Sequence, residues 1–150
     1  MADYTSGIAA KQTQALVKGP PAGSHGSESA RRVYSYQDAV TPTATVANTD
    51  RLRFGLLPAG AQIIPGSTWL SSSLAAFAGK IQFTPLDGSA VTELTGVSVT
   101  QDSSTAAKSI PSGVEIPVLA KPSWVDFVPT ASAALNGVTV RARIEYSLGN

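Results

Sequence analysis

The only histidine of the chain, His25, lies in the run Gly23-Ser24-His25-Gly26-Ser27-Glu28. A catalytic triad needs an imidazole held by a third group and aimed at a nucleophile, and a Gly/Ser segment supplies backbone freedom instead. His25 therefore reads as a solvated linker residue. Cysteine is absent, which removes thiolate nucleophiles, disulfide frameworks and cysteine-rich zinc sites together and leaves the redox compartment open. With a single histidine, carboxylates would have to make up a metal site, an unusual set for structural zinc. No EF-hand loop, Walker-type glycine loop or dinucleotide fingerprint is present, so no cofactor and no small-molecule substrate are expected.

Two carboxylates far apart in sequence can meet in a fold and cleave a glycoside. The ten acids of this chain are scattered. Asp50, Asp87, Asp102 and Asp126 read as turn or surface residues, and Glu93, Glu115 and Glu145 as strand residues facing water. The basic residues Arg31-Arg32, Arg51/Arg53 and Arg141/Arg143 would form a stripe for phosphate or acidic side chains if their strands were neighbours. Asp38, Asp50 and Glu145 interrupt it, which favours an ordinary solvated sheet face. Eleven basic and ten acidic residues leave a net charge of +1, so no general field draws in nucleic acid or an anionic membrane. Partners must be selected by shape, and the expectation is a protein with no enzymatic activity that docks onto other protein surfaces.

Tyr34 and Tyr36 lie two apart and share one face of an extended segment. Paired tyrosines serve an interface, where they bring large area at low entropy cost, and serve a core strand equally well. Trp69 and Trp124 are core or inter-subunit anchors.

The elements that must position these residues follow from hydrophobic periodicity. Val138, Val140, Ala142, Ile144 and Tyr146 alternate with Thr139, Arg141, Arg143 and Glu145, the pattern of a strand with one buried face. The same alternation points Leu52, Phe54 and Leu56 inward against Arg51 and Arg53, and Ile81 and Phe83 inward against Lys80, Gln82 and Thr84. Val97/Val99, Val114/Ile116/Val118 and the run from Trp124 to Val128 are further candidate strands. Pro58-Ala59-Gly60, Pro65-Gly66, Pro85-Leu86-Asp87-Gly88, Pro111-Ser112-Gly113 and Asn136-Gly137 supply the turns between them. Asp87-Gly88 and Asn136-Gly137 are the strongest turn signals. Eight prolines after residue 40 leave little room for a long helix, and Ser73–Ala78 is the one stretch there suited to a helical turn.

A length of 150 residues, 43% of them hydrophobic, fits one domain able to bury about 70% of the surface its unfolded chain exposes. Residues 31–150 are expected to form a single antiparallel β-sandwich of jelly-roll type, in an all-β class. Residues 1–30 read as an arm and linker. Ile8, Ala9, Gln12, Ala15 and Leu16 recur at roughly helical spacing, and Gly19-Pro20-Pro21-Ala22-Gly23 ends any helix. The start of the chain has no uninterrupted apolar core behind a basic stretch, and no run approaches the ~20 apolar residues of a membrane span. Synthesis in the cytoplasm without membrane insertion is expected. Tyr4, Ile8, Leu16, Val17, Arg31, Arg32, Tyr34 and Tyr36, on the arm and at its junction with the head, are the candidate contact residues.

The stretch Asp50-Arg51-Leu52-Arg53-Phe54-Gly55-Leu56-Leu57-Pro58-Ala59-Gly60-Ala61-Gln62-Ile63-Ile64-Pro65-Gly66-Ser67-Thr68-Trp69 resembles a segment of small virion proteins of tailed bacteriophages. In them a strand leads through an LPAGA turn into an apolar strand. The opening Met1-Ala2-Asp3-Tyr4-Thr5-Ser6, followed by an arm and Val33-Tyr34-Ser35-Tyr36, is similar to the same proteins. The nearest picture is a capsid decoration, or cement, protein. The resemblance implies a β-sandwich head, often trimeric, on the outer capsid surface where capsomers meet. Its arm would lie across neighbouring copies of the major capsid protein, and no catalytic residues carry over. Two other expectations compete with it. One is a tail or fibre component that binds a host receptor or glycan, and the other is a carbohydrate-binding module or glycan-active enzyme on a sandwich scaffold.

Overall fold

A computed structural model of the chain describes residues 1–6, 33–65, 67–73, 77–101, 110 and 114–148. The fold is all-β, with no helix among the described residues. The strands are β1 (Asp3–Thr5), β2 (Val33–Val40), β3 (Arg51–Leu57), β4 (Ala61–Ile63), β5 (Trp69–Ser72), β6 (Phe77–Pro85), β7 (Thr92–Gln101), β8 (Ser123–Pro129) and β9 (Val140–Leu148). They form one nine-stranded sheet in the order β1-β3-β8-β6-β7-β5-β9-β2, with β4 also paired to β9. The expectation of a purely antiparallel arrangement is corrected: β1 runs parallel to β3, and β5 parallel to β7. β5 is parallel because the β6–β7 hairpin returns the chain against it, so β7 lies between β5 and β6.

The sheet curls until its ends meet. β2 at one end faces β3 near the other, and Tyr36 packs where a side chain at Gly55 would otherwise project. Inside lies one apolar core that includes Leu52, Phe54, Ile81, Phe83, Val97, Val99, Phe127, Val140 and Ile144.

The alternation of β6, and of β9 as far as Ile144, matches the expected faces, with Val140, Ala142, Ile144, Ile81 and Phe83 buried, whereas Tyr146, expected inward, is half-buried and Ser147 is buried. On β3 it fails at one residue. A bulge between Arg53 and Leu56 puts an extra residue into β3 opposite β8, and an extra residue reverses the faces beyond it. Leu56, expected inward, is half-buried opposite Trp124, while Leu57 is fully buried. The expected strand at Val114/Ile116/Val118 is a second correction, since residues 114–119 are an irregular strap. Its backbone is tied to β4 and the turn before it: Gln62 donates to the Ile116 carbonyl at 2.7 Å, and Leu119 N–H to Ala61 at 2.8 Å. Ile116 and Leu119 are buried, and Val118 points out.

Of the expected turns, Pro58-Ala59-Gly60, Asp87-Gly88 and Asn136-Gly137 carry positive φ at the glycine, 81°, 73° and 72°, a geometry that glycine adopts without steric cost. Phe77 and Ala78, expected in a helical turn, open β6. Residues 74–76 and the turns containing Gly66 and residues 111–113 lie outside the described residues.

Candidate interaction surface

The pair Tyr34/Tyr36 divides between the two roles its spacing allows. β2 pairs with β9 so that Tyr34 lies directly opposite Tyr146, and their rings stack with centroids 5.3 Å apart at 20°. Such stacking adds to area burial in a cross-strand pair. Tyr34 remains 37% exposed and its neighbour Val33 59%, so the start of β2 presents an apolar edge. Tyr36 points into the seam instead. Its hydroxyl is buried beside the Gly55 backbone without a hydrogen bond of good geometry, and Asp38 Oδ2, on the same face of β2, is buried without a partner as well. Burial first, then the Asp38 carboxylate and Tyr146, hold the Tyr36 proton on well above the usual phenol range, with the Gly55 backbone opposing. Tyr146 is raised too, by burial and then by Tyr34.

Tyr4 stands on β1 opposite Leu52 and packs partly against the core. The start of the chain is held by one carboxylate. Asp50 Oδ1 accepts the Ala2 amide at 2.7 Å and Oδ2 accepts the Ala47 amide at 2.9 Å. The two amide bonds hold the Asp50 carboxyl below the usual carboxylate range against the cost of burial. Arg51 N–H donates to the Ala2 carbonyl at 3.1 Å, and Ser6 N–H to the Arg53 carbonyl at 2.9 Å, completing the clasp.

Among the described residues the basic stripe does not assemble. β3 and β9 are not neighbours in the sheet, and the arginines of β3 turn to an internal partner. Asp126, expected at the surface, is fully buried on the outward face of β8. Arg53 grips it with Nε and a terminal nitrogen at 2.8 and 2.9 Å, Thr84 donates to it at 2.7 Å, and Arg51 approaches to 3.7 Å. The Arg53 guanidinium also covers the Trp124 ring, 5.2 Å from its centroid, so Trp124 is a buried residue of this cluster. Elsewhere Lys80 pairs with Glu93 at 2.6 Å, Lys121 with Asp87, and Arg143 with Glu145 at 2.7 Å. These charges neutralise one another along the sheet.

Among the described residues no three metal-ligating side chains gather. A half-open cleft of about 390 Å³ lies beside the start of β6, the middle of β7 and the end of β8, lined by Asn48, Gly79, Lys80, Thr95, Gly96, Val128, Pro129 and Thr130. That lining carries no aromatic ring on which a sugar face would stack.

Ile8, Leu16, Val17, Arg31 and Arg32, together with His25 and Asp102, lie outside the described residues. Sequence reasoning missed the Asp50 clasp, the Asp126 cluster and the close approach at Gly55. Only the last carries a signal in the sequence, since an isolated glycine inside a strand marks a bulge or a near backbone contact. No protein-family model, no curated protein and no solved structure matches the chain.

Proposed function

We propose that the protein is a virion structural protein without enzymatic activity, which decorates a phage capsid and bridges neighbouring copies of the major capsid protein. In this reading the rigid β head, whose two ends meet as the facing layers of a sandwich would, presents the docking edge, and the segment before β2 extends the footprint. The observation that carries it is the apolar edge of Val33 and Tyr34, exposed where that segment joins a sheet whose charged side chains largely pair among themselves. The resemblance of residues 50–69 and of the start of the chain to small virion proteins supports the same reading. Many copies on a symmetric shell would turn modest contacts into avidity, so no single interface needs to be tight.

The test is co-sedimentation of the purified chain with empty shells assembled from a phage major capsid protein, followed by electron cryo-microscopy. Saturable binding with density on the outer shell surface is expected. Density confined to a tail or fibre, or a chain that stays in the supernatant, overturns the reading.

A further inference from the structure

We propose that Asn136 is a self-modification site, which loses its side-chain amide through a cyclic imide formed with the Gly137 nitrogen, and that the segment between β2 and β3 holds this reaction in check. The Asn-Gly pair offers the attack little steric resistance, because the residue that supplies the nitrogen has no side chain. Both residues are exposed in the turn that leads towards β9. Val138 N–H closes that turn on the Leu135 carbonyl at 2.9 Å, and positive φ falls on Gly137 and not on Asn136, the arrangement of a type II turn.

In the reaction a solvent base takes the Gly137 amide proton, the nitrogen bonds to Asn136 Cγ, and the side-chain nitrogen leaves as ammonia. Water then opens the ring at one carbonyl or the other, giving aspartate or isoaspartate. Either product adds a negative charge, and isoaspartate also inserts a methylene into the main chain. In the folded protein the proton that must leave is the one Gly137 donates to the Pro42 carbonyl at 2.8 Å. The segment carrying Pro42 is fastened beside the turn at two further points. The hydroxyls of Thr41 and Thr139 lie 3.0 Å apart, and Val46, fully buried, exchanges backbone bonds with Ala133 at 2.9 and 2.8 Å. Asn136 therefore reacts when residues 41–46 release the turn, a local opening smaller than global unfolding. Once the imide forms, Gly137 has no proton to return to Pro42, so the carbonyl loses its donor. The inference concerns the chain alone and stands or falls independently of capsid binding.

The purified full-length chain is incubated in mildly alkaline buffer, folded and in guanidinium chloride, and mapped by peptide mass spectrometry over time. The peptide holding Asn136 is expected to gain the mass of amide-to-acid conversion and to split into aspartate and isoaspartate forms. The folded chain should convert at least about tenfold more slowly than the denatured one, because several hydrogen bonds must break first. Thr41→Ala removes one fastening and is expected to speed conversion of the folded chain roughly 2- to 10-fold. Ile81→Val, which thins the buried core at a residue outside these fastenings, is expected to leave the rate unchanged, since it favours only global unfolding. No conversion in denaturant overturns the site. Equal rates folded and denatured, a Thr41→Ala chain no faster than the parent, or equal acceleration by Ile81→Val overturns the guard.

Discussion

Gly55 on β3 and Tyr36 on β2 close the sheet upon itself: a Cβ at position 55 would stand 2.9 Å from Cζ of the Tyr36 ring and 3.1 Å from its hydroxyl. No side chain occupies that distance without movement, and the ring is backed by the β2–β9 ladder. Gly55→Ala is therefore expected to wedge the seam, at a cost of about 1–3 kcal/mol. In thermal unfolding this is a fall of roughly 2–4 °C for each kcal/mol. An unchanged midpoint would mean that the seam is slack.

Tyr36→Phe tests the opposite property of the same contact. The hydroxyl is buried without a well-formed partner, and the desolvation of such a group works against folding. Removing it while keeping the ring is expected to leave stability unchanged or raise it by about 1 kcal/mol in chemical denaturation. A loss of more than about 1 kcal/mol would reveal a hydrogen bond to that oxygen.

Asp50 predicts an acid limb. Its folded-state pKa is lowered by the amides of Ala2 and Ala47, so its contribution is complete above the unfolded aspartate value of about 3.9 and declines as pH falls from there through the folded value. Asp50→Asn keeps the shape but loses the charge. It is expected to be less stable than the parent at neutral pH, with the difference narrowing as pH drops below about 4. A difference that stays constant across that range would show that the charge plays no part in the clasp.

The alternation of β6, and of β9 as far as Ile144, was legible because each strand has one dry face there; beyond Ile144 the period breaks, and Ser147 is buried in place of Tyr146. It failed at β3, where the bulge at Gly55 inserts a residue and exchanges Leu56 for Leu57. Asp126 was misread for a different reason. A carboxylate flanked by Val125 and Phe127 looks solvent-facing by alternation, and its outward direction is right. What buries it is the cover of Arg53 from another strand, which leaves no mark in local sequence. β1 escaped notice because three residues carry too little periodicity, and its parallel pairing depends on an aspartate forty-eight positions away.

That cover gives Asp126 a measurable weight. Asp126→Ala leaves Arg51, Arg53 and Thr84 facing a gap, and removing one member of a buried ion pair costs about 3–5 kcal/mol. Because the arginine side chains keep 19% and 18% of their exposure, water relieves part of the loss, and the lower end, about 3 kcal/mol, is expected in denaturant unfolding. Arg53→Lys should also destabilise, since a single ammonium does not reproduce the two-pronged grip or the cover over Trp124. A neutral Arg53→Lys would reduce the cluster to simple charge balance.

The exposed start of β2 separates docking from folding. Val33 is 59% exposed, so Val33→Ser removes little buried area and is expected to shift stability by no more than about 0.5 kcal/mol. If this edge is the contact that seats the head on a shell, the same change removes an apolar group from the centre of the footprint. Binding should weaken there by about 1–2 kcal/mol per site, roughly 5- to 30-fold. Tyr34→Ala should weaken binding further, although it also breaks the stack on Tyr146, so its stability must be measured alongside. Val33→Ser carries the cleaner reading: with folding intact, full-strength shell binding by that variant would move the docking surface away from β2.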